Sequence, residues 1–218
     1  HTDTDGSTVS TPAQTPFVCT AGGSSIGLSV LRTGVTNSQR TGDDGDLQNG
    51  RDASFTTLSD NNPFGNTLRF TDELGGVSYT NDIVIDWSTY NGSTVLGYSY
   101  FTVGAPTGRT WNQAIDDALA YSKGTFTSGW RLPNMKELWN IQDLSIAFYT
   151  LSYSPFDILG SSNLMYYDLW SSTPYSEQPS LSALYLVGEG GQTFDSLMTA
   201  QKRAIPVRTF TVTGTTLT

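Results

Sequence analysis

The stretch Gly129-Trp130-Arg131-Leu132-Pro133-Asn134-Met135-Lys136-Glu137-Leu138 carries the most specific structural signal in the chain. Trp130 and Leu132 read as core anchors. Pro133 sets the backbone angle ahead of a helix, and Asn134 with Glu137 three residues on forms a capping box. The helix is therefore predicted to begin at Asn134, with Leu138 and Ile141 facing inward. Arg131 is placed to bridge backbone carbonyls or an acid such as Glu137.

Upstream, Thr110 and Gln113 repeat the same capping pattern at the start of a second helix. Trp111, Ala114, Ile115, Ala118 and Leu119 follow at the spacing of one helical face, and Gly124 is the expected stop. The remaining periodic segments read as strands: Val77 to Trp87 around a turn, Val95 to Val103, Leu169 to Thr173, Leu184 to Val187, Gln192 to Phe194 and Ala204 to Val212. In Leu169-Trp170-Ser171-Ser172-Thr173 a buried tryptophan is followed by short hydroxyl side chains suited to tying down neighbouring loops. The expected class is α+β, mostly antiparallel strands and long loops with two helices.

Residues 1–35 are rich in Ser, Thr, Gly and Pro and poor in apolar anchors, and read as an N-terminal arm. Such an arm is expected to lie against the main domain or against a neighbouring subunit. Residues 36–212 form the domain proper, and 213–218 are expected to be a C-terminal tail. The chain opens on His1, which fits a processed N-terminus, a tag remnant or a fragment of something longer.

Twenty acidic residues against eleven basic ones give a net charge of −9 and argue against nucleic acid as a partner. No apolar run approaches the ~20 residues needed to cross a bilayer, so membrane insertion is not expected. Cys19 is the only cysteine and excludes an intrachain disulfide. With His1 the only histidine, a serine triad, a cysteine–histidine pair and a histidine zinc site all lack their parts. A glycosidase needs only two carboxylates, and Glu137, Asp143, Asp157, Asp168, Glu177, Glu189 and Asp195 are present, but no signature pairs them. The expectation is a protein that is not an enzyme.

Several of these segments, in this order, resemble the family of the Legionella collagen-like protein C-terminal domain. The matching pieces are Arg40 to Gln48, Arg69-Phe70-Thr71-Asp72, Trp111-Asn112-Gln113-Ala114-Ile115, the Trp130 and Trp170 motifs quoted above, and Ile205-Pro206-Val207-Arg208. The resemblance implies a C-type-lectin-like domain of an exported, often trimeric, adhesin-like or fibre-like protein. That places it outside the cell, on a bacterial surface or on a phage particle, with ligand binding as its role. One member of the family is similar to an adhesin for sulfated glycans, and the acidity of this chain departs from that member.

Two sites are expected. Asp43, Asp44 and Asp46 around Gly45 offer closely spaced oxygen ligands of the kind calcium takes, and equally read as a solvated acidic turn. The stretch from Tyr149 to Tyr185 interleaves aromatic side chains with Ser, Asn, Pro and Gly, a composition suited to recognition of a glycan or surface receptor. Ordinary loop packing or a subunit interface would use the same residues. The ligand-binding expectation falls on Tyr153, Tyr166, Tyr167, Tyr175 and Glu177. The second reading of the chain is a structural subunit of a virion, fibre or extracellular filament, homo-oligomeric and docked through its N-terminal arm. Asn91-Gly92-Ser93 also fits a glycosylation acceptor, which matters only in a secretory pathway.

Overall fold

The computed structural model describes residues 31, 33, 35–48, 54–79, 83–99, 108–145, 155–156, 168–187 and 192–218. Over these the chain is a mixture of helix and antiparallel sheet in which strands predominate. In chain order the elements are α1 (Asp44–Leu47), β1 (Phe70–Thr71), β2 (Ile83–Asp86), β3 (Thr94–Ser99), α2 (Trp111–Leu119), β4 (Trp130–Arg131), α3 (Met135–Asn140), β5 (Leu169–Pro174), β6 (Ser182–Leu186), β7 (Thr193–Leu197), β8 (Val207–Thr213) and β9 (Thr216–Leu217).

The larger sheet runs β1-β2-β3-β8-β4, with β9 paired to β8. Strand β8 thus lies in its interior, between β3 and β4. Every residue of β2 is buried, because the sheet is covered on both faces. Val84, Tyr98 and Val207 stand opposite one another on one face and pack with Leu138, Ile141 and Phe156. Ile83, Ile85, Trp130 and Phe210 belong to the other face. Gly97 is required there: a Cβ would stand 2.5 Å from the Phe210 ring and 2.8 Å from Ile85 Cδ1.

The smaller sheet, β5-β6-β7, is held between the helices. Ala114 and Ala118 of α2 pack on Trp170 and Ala183, while Leu138 of α3 packs with Leu169 and Leu186. The two tryptophan motifs meet directly. Ser172 N donates to Pro133 O at 2.7 Å, and Met135 N donates to Thr173 Oγ1 at 3.0 Å. Ser171 Oγ donates to Leu184 O at 2.7 Å, so the hydroxyls bind neighbouring segments as the motif suggests.

Both capping boxes form, at Thr110 with Gln113 and at Asn134 with Glu137. Arg131 grips both oxygens of Glu137, at 2.8 and 2.6 Å, and also reaches the Leu132 carbonyl. Leu119 departs from expectation: it is 61% exposed, and α2 ends on it. The reason is Tyr121, whose ring meets Trp130 edge-on at 5.1 Å and whose hydroxyl bonds to Ser99 Oγ, so the chain leaves the helix to seat it. Gly124 instead occupies a turn at φ +57.

Residues 213–218 are not a free tail. The chain reverses at Gly214 and returns as β9, with Val212 opposite Leu217 and Leu217 buried. At the other end, Thr33 O accepts from Leu144 N at 3.1 Å and the Thr33 hydroxyl donates to the Asp44 carboxylate. The end of the arm therefore lies on its own domain, and residues 1–30 fall outside the described residues.

Candidate recognition surface

The smaller sheet places two of the expected binding residues, Tyr175 and Glu177, in the β5–β6 connection. That connection is internally fixed: Tyr175 N donates to Ser182 O at 2.9 Å, Gln178 N to Tyr175 O at 3.1 Å and Ser182 N to Gln178 O at 2.9 Å. The Glu177 carboxylate, as an acceptor toward the Tyr175 phenol, is the first cause that pushes the phenol pKa above its ordinary value, ahead of desolvation and the negative charges of Glu177 and Asp195. Carboxylate oxygens accept from hydroxyl donors.

The register of β6 against β7 pairs Leu186 with Thr193, Leu184 with Asp195 and Ser182 with Leu197. Alternation along a strand puts Thr193, Asp195 and Leu197 on one face, spread over roughly 13 Å at about 3.4 Å per residue. At the Thr193 end stands Trp139 of α3, 50% exposed, its indole Nε1 donating to Thr193 Oγ1 at 2.7 Å. Asp195 and Leu197 are exposed between and beyond. Trp139 on α3 and Asp195 on β7 thus share a face, and Tyr175 and Glu177, in the β5–β6 turn, lie near enough to Asp195 for its charge to act on the Tyr175 phenol, so that an indole, two carboxylates and a phenol line one strip.

The rest of the aromatic stretch divides. Phe156 is a core residue, edge-on to Phe70 at 5.5 Å and to Tyr98 at 6.2 Å. Tyr185 faces the other side of the sheet, beneath Lys202 Nζ at 3.4 Å from its ring centre and edge-on to Trp170. Lys202 also pairs with Asp168 at 3.1 Å. Tyr149, Tyr153, Tyr166 and Tyr167 lie outside the described residues.

Trp139 was not among the expected binding residues. Its signal in the sequence is an aromatic out of phase with the inward Leu138–Ile141 stripe, on the polar side of a short helix. Asp195 stood only among the carboxylates considered for glycosidase chemistry. Of the others in that set, Glu137 is held by Arg131, and Asp143 accepts from Ser145 N and Oγ. Asp157 and Glu189 lie outside the described residues.

The acidic turn is held by hydrogen bonds of its own. Asp43 Oδ2 accepts from Gln39 N at 2.6 Å and Arg40 N at 2.9 Å, and Oδ1 accepts from Asp46 N at 2.9 Å. These bonds, the Gln39 one foremost, hold the Asp43 carboxyl below the usual range. Asp46 accepts from Gly42 N at 2.8 Å, and Asp44 is engaged by Thr33. The three carboxylates accept from backbone and hydroxyl donors, and these bonds wind the segment into the single helical turn α1. No group of three or more His, Cys, Asp or Glu side chains that could hold a metal occurs among the described residues. No helix among them is long and apolar enough to cross a membrane.

Compared with known proteins, the chain matches no family model and no curated protein.

Proposed function

We propose that this chain is a non-catalytic, C-type-lectin-like binding domain displayed outside the cell, on a bacterial surface appendage or a phage particle, and that it recognises a glycan or surface receptor. The reading of the fold rests on the Trp130 and Trp170 motifs, which are hydrogen-bonded to each other and join α3 to the smaller sheet. The reading of function rests on one observation: the half-exposed Trp139 indole is anchored to Thr193 on the same face as Asp195 and near the Tyr175–Glu177 couple. An anchored ring offers apolar area at little entropic cost, and carboxylates accept from ligand hydroxyls. Oriented polar groups on a rigid sheet need little rearrangement on binding.

The test is a glycan and cell-surface binding screen with the full chain, followed by Trp139→Ala and Glu177→Gln. Binding should weaken at least tenfold in Trp139→Ala at an unchanged melting temperature. A chain that binds no glycan and no cell surface, or a Trp139→Ala variant that binds like the parent, would overturn the proposal.

A second reading, a structural subunit of a virion, fibre or filament, is favoured by β7. It is an outer strand of its sheet, and Phe194 and Leu197 are exposed along it. Mass in solution separates the two readings: a defined homo-oligomer that dissociates on Phe194→Lys supports the subunit.

A further inference from the structure

On the face of the larger sheet opposite α3, three tight turns ring a cleft of about 420 Å³. They are the turn closed by Asp72 N to Gly76 O at 2.8 Å, the turn in which Lys123 and Phe126 exchange backbone bonds at 3.1 and 2.9 Å, and the β8–β9 hairpin. We infer that this cleft is a second ligand site, separate from the Trp139 strip, and that it takes an uncharged pyranose.

Three features of the lining select that class. The hydroxyls of Thr125, Thr215 and Thr216 border the cleft, and none of them makes a hydrogen bond within the described protein. Hydroxyls both donate and accept, so three on two walls match a ligand that carries hydroxyls of its own. The apolar side includes Phe126, whose ring is fixed edge-on to Phe210 at 4.9 Å, with the Arg208 guanidinium 5.1 Å from its centre. It offers a flat surface to the C–H face of a sugar ring. The charged lining residues are Glu73 and Lys123, one of each sign, so the cleft carries no net charge to favour an anion or a cation.

The walls are also preorganised. Reciprocal backbone bonds between Lys123 and Phe126 and the pairing of Thr213 with Thr216 close both turns before a ligand arrives, and Gly124 at φ +57 and Gly214 at φ +61 permit the left-handed conformations these turns use. The volume falls in the range of about 300–1,000 Å³ typical of small-ligand sites, which accommodates one or two sugar rings.

The inference is tested by saturation-transfer NMR on the full chain with methyl glucoside, galactoside and mannoside, and with a sulfated monosaccharide as the charged contrast. At least one neutral pyranoside should receive transfer at its ring C–H protons. That transfer should fall at least fivefold in Thr125→Val/Thr216→Val and persist in Trp139→Ala, and the bound sugar should shift the amide signals of Gly124, Thr125 and Thr216. Several outcomes would overturn the inference: no transfer from any neutral pyranoside, stronger transfer from the sulfated sugar, or amide shifts confined to other residues. Loss in Trp139→Ala with retention in the cleft variant would assign the sugar to the strip instead. The amide shifts decide the matter even if the double variant fails to fold.

Discussion

The guanidinium of Arg69 and the carboxylate of Asp86 form a two-pronged ion pair inside the protein, with Nε to Oδ1 at 2.9 Å, Nη2 to Oδ2 at 3.0 Å and side-chain exposures of 1% and 0%. The rings of Phe55 and Phe70 lie 4.4 and 4.5 Å from the guanidinium carbon. Further Arg69 bonds reach the carbonyls of Phe55 and Asn140, and Asp86 also accepts from Ser88 and the Asn140 amide. The pair joins β1 to β2 and ties both to the end of α3, the helix that carries Trp139.

Removing one partner leaves the other charge desolvated and alone. Arg69→Met should therefore cost about 3–5 kcal/mol, the range for breaking a buried pair. The double variant Arg69→Met/Asp86→Leu should cost less than the two single changes added together. Urea denaturation midpoints of the parent and the three variants check this, and strictly additive losses would contradict the coupling.

Tyr79 supplies a pH signature. Its hydroxyl donates to Phe70 O at 3.0 Å, and burial, with the Asp72 charge as a lesser cause, pushes its pKa up to about 12. An ordinary tyrosine in the unfolded chain titrates near 10. The stability this group contributes is therefore fully present below pH 10 and is lost as pH rises toward about 12. Melting temperature should fall more steeply between pH 10 and 12 in the parent than in Tyr79→Phe. Parallel curves for the two proteins would remove Tyr79 as the source.

Calcium should leave the protein unchanged. Asp43 is bonded to three backbone N–H groups and Asp46 to a fourth, so the acidic turn is held in shape by its own amides. The expected melting temperature is the same with millimolar calcium as with chelator, and Asp43→Ala should lower it in both. An upward shift with calcium that disappears in Asp43→Ala would restore the metal site.

Local chemistry explains what was legible. The capping boxes at Thr110 and Asn134 depend on side chains three residues apart bonding to nearby backbone, and the Arg131–Glu137 contact spans six residues. Strands β2, β3, β5, β6, β7 and β8 overlap the stretches their patterning marks, with ends that differ by a few residues, whereas β4 and β9 were not marked as strands. The Leu119 expectation failed because periodicity extends a helical face until a breaker, whereas the competing demand came from Trp130 and Ser99, far along the chain from Tyr121. The acidic turn was ambiguous because the same three carboxylates suit a cation or a set of backbone amides, and only the path of residues 39–46 decides between them.

The sequence by itself determined the α+β class, the two principal helices with their caps, the core role of Trp130, Leu132 and Trp170, and the placement of Arg131 to reach backbone carbonyls or an acid such as Glu137. All of these follow from hydrophobic period and from bonds between near neighbours. Only the tertiary structure decided that β8 enters the sheet between β3 and β4, that the last residues return as β9, and that Trp139, Asp195 and Tyr175 share one surface. The first and third of those arrangements join residues twenty or more positions apart and are set by which faces must be buried together, a condition that no short stretch of chain contains; the β9 return is a local hairpin, Val212 opposite Leu217, whose burial of Leu217 depends on the rest of the sheet.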